Sequence, residues 1–152
     1  MSTDRRKENI GEVIRLIRKL MQVGEHYSRE LHKNYDISAP QLACLLALYE
    51  KGPMSPSRIA RSIMVSSSTV TGILDRLEAK ELVRRVRNPR DRRSITVSLT
   101  ETGKRLAEIA PPPVQQRIVN GLKRLPDEEF QEILQGLSRL LGLLKMSENA
   151  NL

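Results

Sequence analysis

Apolar residues recur at helical spacing along the opening segment. Ile10, Val13, Ile14, Ile17, Leu20, Met21, Gly24, Tyr27 and Leu31 share one side, with Glu12, Arg15, Arg18, Lys19 and Glu25 between them, which predicts one long helix. The stretch "NYDISAPQ" ends it. Ser38 and Gln41 have capping-box spacing and Pro40 suits a first turn, so a second helix starts there, with Leu42, Leu45, Leu46 and Tyr49 on one face and a stop at Gly52 and Pro53. Ser55 and Pro56 open a short helix holding Ile59, Ala60 and Ile63. After a break at Met64 and Val65, Ser66 caps a further helix whose inward stripe is Val70, Ile73, Leu74 and Leu77. Helical spacing then gives way to alternation. Two strands are predicted, roughly Leu82 to Arg87 and Ser94 to Leu99, joined by an arginine-rich turn that holds Pro89. Thr100 caps a helix carrying Leu106 and Ile109, which Pro111, Pro112 and Pro113 must break. Helical pattern resumes at Val114, Ile118 and Leu122. A last helix follows Pro126, with an acidic first turn suited to the helix dipole and a stripe of Phe130, Ile133, Leu134, Leu137, Leu140, Leu141 and Leu144. Only the tail "SENANL" looks loose.

Composition narrows the class. Aromatic residues are 3% of the 152 and Trp is absent, so the core must be built from Leu, Ile, Val, Met and Ala, which favours helices. The single Cys44 rules out an intrachain disulfide framework and suits a reducing compartment. No apolar run approaches a membrane span and the N-terminus lacks a signal-like segment, so a soluble cytoplasmic protein without a membrane partner is expected. The charge is the sharper clue. Residues 51–100 hold 11 Lys+Arg against 4 Asp+Glu, whereas residues 1–50 hold 8 against 7 and residues 101–152 hold 7 against 7. A focused positive patch implies an anionic partner, nucleic acid first.

Two short helices followed by a basic hairpin form a winged helix-turn-helix layout. The helix after Ser66 turns Ser67, Ser68, Thr71, Gly72, Asp75 and Arg76 outward. Small hydroxyl residues at a helix N-terminus allow close approach to a major groove, although "SSST" is also an ordinary cap. In the hairpin tip, Arg90, Arg92 and Arg93 cannot all be neutralised by Asp91, and a narrow arginine prong fits a minor groove. A solvated charge run is the plainer alternative.

At these residues the chain resembles the MarR family of transcriptional regulators. The resemblance rests on "STVT…LDRLEAK" in the reading helix and "NPRDRR…VSLTETG" across the wing, and covers roughly Ser38 to Leu106. It implies a homodimer, binding to pseudo-palindromic duplex operators, repression, and release by small, often phenolic ligands. Carried over by position, Ser67, Ser68, Thr69, Thr71 and Arg76 would touch DNA from the helix. Arg93, steadied by Asp91 with Arg90 and Arg92 nearby, would do so from the wing. Ser55, Ser57 and Gly72 complete the expected DNA face. Three departures stand out: Gly72 where several relatives carry a base-reading arginine, Met64 in a turn where glycine is frequent, and Glu81 where glycine follows the reading helix.

The fold class expected is therefore mainly α with a small β-hairpin wing. It comprises an N-terminal dimerisation helix (1–35), a winged helix-turn-helix (36–106) and C-terminal dimerisation helices (107–152). Long apolar stripes on the flanking helices support the dimer independently, because a small winged lobe cannot cover both. The expected dimer residues are Ile10, Val13, Ile14, Ile17, Ile133, Leu137, Leu140, Leu141 and Leu144. A pocket for a small aromatic ligand would draw on Arg18, Met21, His26, Tyr27 and Tyr49. An enzyme is not expected. His26 and His32 do not share a helical face, no phosphate loop is present, and Cys44 sits inside "LACLLAL" as an apolar residue. Neither a metal nor a cofactor is expected. The second function class is a winged-helix module whose basic face meets an acidic protein.

Overall fold

The computed structural model describes residues 3–91 and 94–149. Its element order is α1 (Thr3–Tyr35), α2 (Ala39–Lys51), α3 (Pro56–Ser62), α4 (Ser67–Ala79), β1 (Val83–Arg87), β2 (Ile95–Leu99), α5 (Glu101–Ile109), α6 (Val114–Leu122) and α7 (Asp127–Asn149). The mainly helical class with one hairpin is what the spacing predicts.

The helix starts follow the capping chemistry written in the chain. Ser38 Oγ accepts from Gln41 N while the Gln41 side chain accepts from Ser38 N at 3.0 Å, a complete capping box. Ser55, Ser66 and Thr100 each take extended backbone and accept from the amide three residues on. The helix ends are less orthodox. After α3, Met64 N bonds Arg61 O and Val65 N bonds Ala60 O; after α4, Glu81 N bonds Glu78 O and Leu82 N bonds Leu77 O. This paired closure needs a left-handed residue. Met64 and Glu81 both adopt φ 56, so two side-chain-bearing residues hold the conformation that glycine takes without steric cost.

Two compact units divide the chain, residues 1–113 and 114–152. The first has a core of Leu31, Leu42, Leu45, Ile59, Leu74, Leu77, Val83 and Val97, all essentially inaccessible to solvent. The expected inward stripe of α4 is buried in full: Val70, Ile73, Leu74 and Leu77. The C-terminal part of α1 joins this core through Tyr27 and Leu31, followed by Ile37 in the turn to α2.

The hairpin is antiparallel, with Val83 opposite Leu99, Arg85 opposite Val97 and Arg87 opposite Ile95. Its strands begin one residue later than the alternation suggests, since Leu82 closes α4 and Ser94 closes the turn through Ser94 N to Asp91 O. Met54 adds an isolated bridge on the other edge of β2 by exchanging both backbone bonds with Val97, so β2 is gripped from both sides. Behind it, Thr100 Oγ1 donates to Glu81 O, and Gly103 of α5 lies so close to Leu82 that an added Cβ would sit 2.0 Å from its carbonyl oxygen.

In the second unit α6 and α7 bury none of their described side chains. The expectation that "SENANL" is loose needs correction: α7 continues through Asn149, because the acidic and amide residues of this stretch do not break a helix already propagating from Asp127. Residues 150–152 lie outside the described ones. Among the described residues no helix is long and apolar enough to cross a membrane.

Candidate nucleic-acid interface

Ser66 organises the start of α4. Its Oγ accepts from Thr69 N at 3.1 Å and shares hydrogen bonds with Ser68 Oγ (3.0 Å) and Thr69 Oγ1 (2.8 Å). Thr71 Oγ1 donates to Ser67 O at 3.0 Å. The hydroxyl cluster is thus oriented from within the helix, and its members keep spare hydrogen-bonding capacity toward solvent. Ser67, Ser68, Thr69, Thr71, Gly72 and Arg76 are all exposed. A Cβ added at Gly72 would meet nothing within 4 Å, so this position leaves a gap in the helix surface.

Ser55 caps α3 and pairs with Ser57 Oγ at 3.1 Å. It therefore presents a second hydroxyl-tipped helix start. At the wing, Asn88 Oδ1 accepts from Arg90 N at 2.9 Å and Asn88 N donates to Ser94 O. Arg90 and Asp91 are exposed at the tip, and Arg92 and Arg93 lie outside the described residues.

The helical spacing places Asp75 on the outer face of α4 but does not single out Arg85. The two are joined: Arg85 Nη1 donates to Asp75 Oδ1 at 2.7 Å, and Nη2 donates to Thr71 O at 3.3 Å. The missed signal was parity. Arg85 lies two residues after the buried Val83, hence on the strand face that packs inward.

This serine-tipped helix, the short helix before it and a bridged basic hairpin can be set beside known proteins. The MarR family model matches residues 37–95. The HTH-type transcriptional regulator YfiV of Bacillus subtilis is 37% identical over 110 residues, spanning 72% of this chain and 69% of that protein. The chain belongs to the MarR family. It is accordingly a transcriptional regulator and not an enzyme. Two solved MarR-like neighbours extend the likeness over most of the length. The Staphylococcus aureus MepR–DNA complex is 25% identical with a TM-score of 0.63, covering 89% of this chain and 97% of that one. BpsR of Bordetella bronchiseptica, whose DNA binding is regulated by 6-hydroxynicotinic acid, is 26% identical with a TM-score of 0.60, covering 85% and 98%.

The remaining candidate residues of the MarR-family chain divide by location. On α1, Ile10, Val13 and Ile14 are exposed and Ile17 is half-buried; on α7, Ile133, Leu137, Leu141 and Leu144 are exposed and Leu140 is half-buried. Of the expected ligand residues, Arg18, Met21 and His26 are exposed on α1. Tyr27 is buried, its hydroxyl donating to Pro111 O at 3.1 Å, and the Tyr49 hydroxyl donates to Glu108 Oε1 at 3.2 Å. Burial, and then the Glu30 carboxylate, raise the Tyr27 phenol above its ordinary 10.0. A groove of about 750 Å³ also opens beside the end of α1, lined by Lys33, Lys80, Leu82, Arg105 and Ile109 among others. None of the five expected residues lines it. Cys44 is fully buried and burial pushes its thiol up to about 11, so it stays protonated and unreactive near neutral pH. Among the described residues no cluster of His, Cys, Asp or Glu could hold a metal ion.

Proposed function

We propose that the chain acts as a homodimeric, sequence-specific repressor in the cytoplasm. Residues 1–35 and 107–152 serve dimerisation and residues 36–106 read a pseudo-palindromic duplex operator. The observation that carries this reading is the outward hydroxyl cluster of α4, capped by Ser66 and set beside the basic hairpin. Ser67, Ser68, Thr69, Thr71 and Arg76 approach one major groove, with Gly72 letting the backbone come close. Ser55 and Ser57 meet the flanking phosphates. Arg90, Arg92 and Arg93 enter the neighbouring minor groove, with Asp91 orienting a guanidinium. The relative MepR has been seen on DNA, which supports the reading.

Pairing two copies hides the apolar stripes of α1 and α7. Two-fold symmetry then sets the reading helices about 34 Å apart, one duplex turn. A small aromatic ligand, bound near Arg18, Met21, His26, Tyr27 and Tyr49, would relieve repression by changing that separation. The regulation of BpsR by an aromatic acid supports this mode.

A mobility-shift titration against the protein's own upstream region tests the core of the proposal. The expected result is steep loss of affinity with rising salt and retained preference over random DNA. A shallow salt dependence without sequence preference would return the basic face to an acidic protein partner. For the ligand, thermal shift against phenolic compounds is the screen. A bound structure with unchanged helix separation would count against the release mechanism.

A further inference from the structure

We propose that Arg85 is the positioning residue that fixes the wing against the reading helix, by holding Asp75 and without touching DNA; this rests on the DNA-reading function above. The inner face of the hairpin carries Val83, Arg85 and Arg87 opposite Leu99, Val97 and Ile95. Val83 and Val97 are buried to within 1%. Arg85, directly opposite Val97, occupies a place where an aliphatic side chain would extend the core, and its side chain is only 23% exposed. A guanidinium there needs compensation.

Among the described residues the compensation comes from one stripe of α4. Nη1 lies 2.7 Å from Asp75 Oδ1 and 3.6 Å from Glu78 Oε2, and Nη2 lies 3.3 Å from Thr71 O. Thr71, Asp75 and Glu78 are four and three residues apart, so they stack along one helix face. The planar fork therefore spans two turns of α4 from a single strand residue. A lysine, a point charge, cannot reproduce that geometry. Two consequences follow for DNA reading. The hairpin is registered to the turn of α4 that carries Thr71 and Gly72. In addition, the Asp75 carboxylate, which would otherwise repel phosphates from the reading helix, is neutralised locally.

Four variants test this: Arg85→Gln, Arg85→Lys, Asp75→Asn and the Gln/Asn double variant, each measured for affinity to the upstream duplex across a salt series. A brace predicts that Arg85→Gln and Asp75→Asn each lose about tenfold in affinity, that the double variant is no worse than either, and that Arg85→Lys falls between. The slope of log affinity against log salt should not move. Loss of a phosphate contact would instead flatten it by about one, which overturns the proposal, as would tighter binding by Asp75→Asn. Amide hydrogen exchange of residues 83–99 without DNA supplies an arm independent of the DNA reading. Arg85→Gln should speed exchange in the hairpin and leave α2 unchanged; unaltered hairpin exchange sinks the brace. If hairpin exchange rises but the unmodified protein shows no preference for its upstream duplex, the brace stands and the operator reading fails.

Discussion

The winged lobe and the flanking helices use apolar residues in opposite ways. Between Tyr27 and Ala107 most large aliphatics are spent inside one core: Leu42, Leu45, Ile59, Leu74 and Leu77 have no or almost no solvent contact. Along α7, Leu137 and Leu141 are more than half exposed, and on α1 Ile10 and Leu20 are as well. Both regions show helical periodicity of similar quality. Only the first finds, within the same compact unit, a surface to bury its stripe against. Periodicity thus reports that a face is apolar and says nothing of what covers it. Exposed stripes of this length call for a partner, and the two-fold pairing proposed above would supply one.

The contrast is broken most severely by charge on the stripes. Ile14→Glu with Leu137→Glu should abolish the dimer, read by sedimentation velocity, and weaken duplex binding by about 100-fold or more because two linked half-site contacts become separate events. The winged lobe should keep its fold, since Ile14 and Leu137 lie outside its core. A variant that still sediments as a dimer would assign the stripes some other partner.

Inside the lobe the matching probe is Gly103→Ala. Its Cβ would lie 2.0 Å from Leu82 O and 2.9 Å from Leu82 C, both backbone atoms pinned by Thr100 N to Leu82 O and by the closure of α4. Nothing flexible can yield, so α5 must move off the root of β1. A loss of about 3 kcal/mol is expected in urea unfolding. A midpoint within error of the parent would show that this junction is slack.

Much of the lobe was legible because its signals are local. Ser38, Ser55, Ser66 and Thr100 announce helix starts by chemistry that acts over three residues. The strands appear through alternation, and the inward stripe of α4 through its helical spacing. What stayed hidden depends on distant partners. That Asp75 is consumed by Arg85 cannot be seen from α4 alone, and the isolated bridge at Met54 has no signature in its own neighbourhood. Tyr27 illustrates the same limit. Its helical spacing places it on the α1 stripe but does not reveal that its hydroxyl donates to Pro111 O, 84 residues away. Tyr27→Phe should therefore cost about 1 kcal/mol in the same unfolding assay by orphaning a part-buried carbonyl. Tyr49→Phe, whose partner bond is exposed, should cost less. Equal costs would mean that the Pro111 bond adds nothing to the lobe.

The smallest effect tests the helix ends within the lobe. Met64 and Glu81 hold φ 56 without being glycine, and each closes a helix by the same pair of backbone bonds. Left-handed backbone costs a non-glycine residue on the order of 1 kcal/mol. Glycine recovers that cost and gives part of it back through a freer unfolded chain. Both residues are exposed, Met64 at 90%, so little packing is lost with the side chain. Glu81→Gly and Met64→Gly should each raise stability by about 0.5 kcal/mol, and together roughly twice that, because the two turns share no partner. A lowered midpoint in either variant would mean that the side chain is held by contacts worth more than the strain. For Met64, two residues before the Ser66 cap, it would then place an apolar group in the turn that delivers the reading helix.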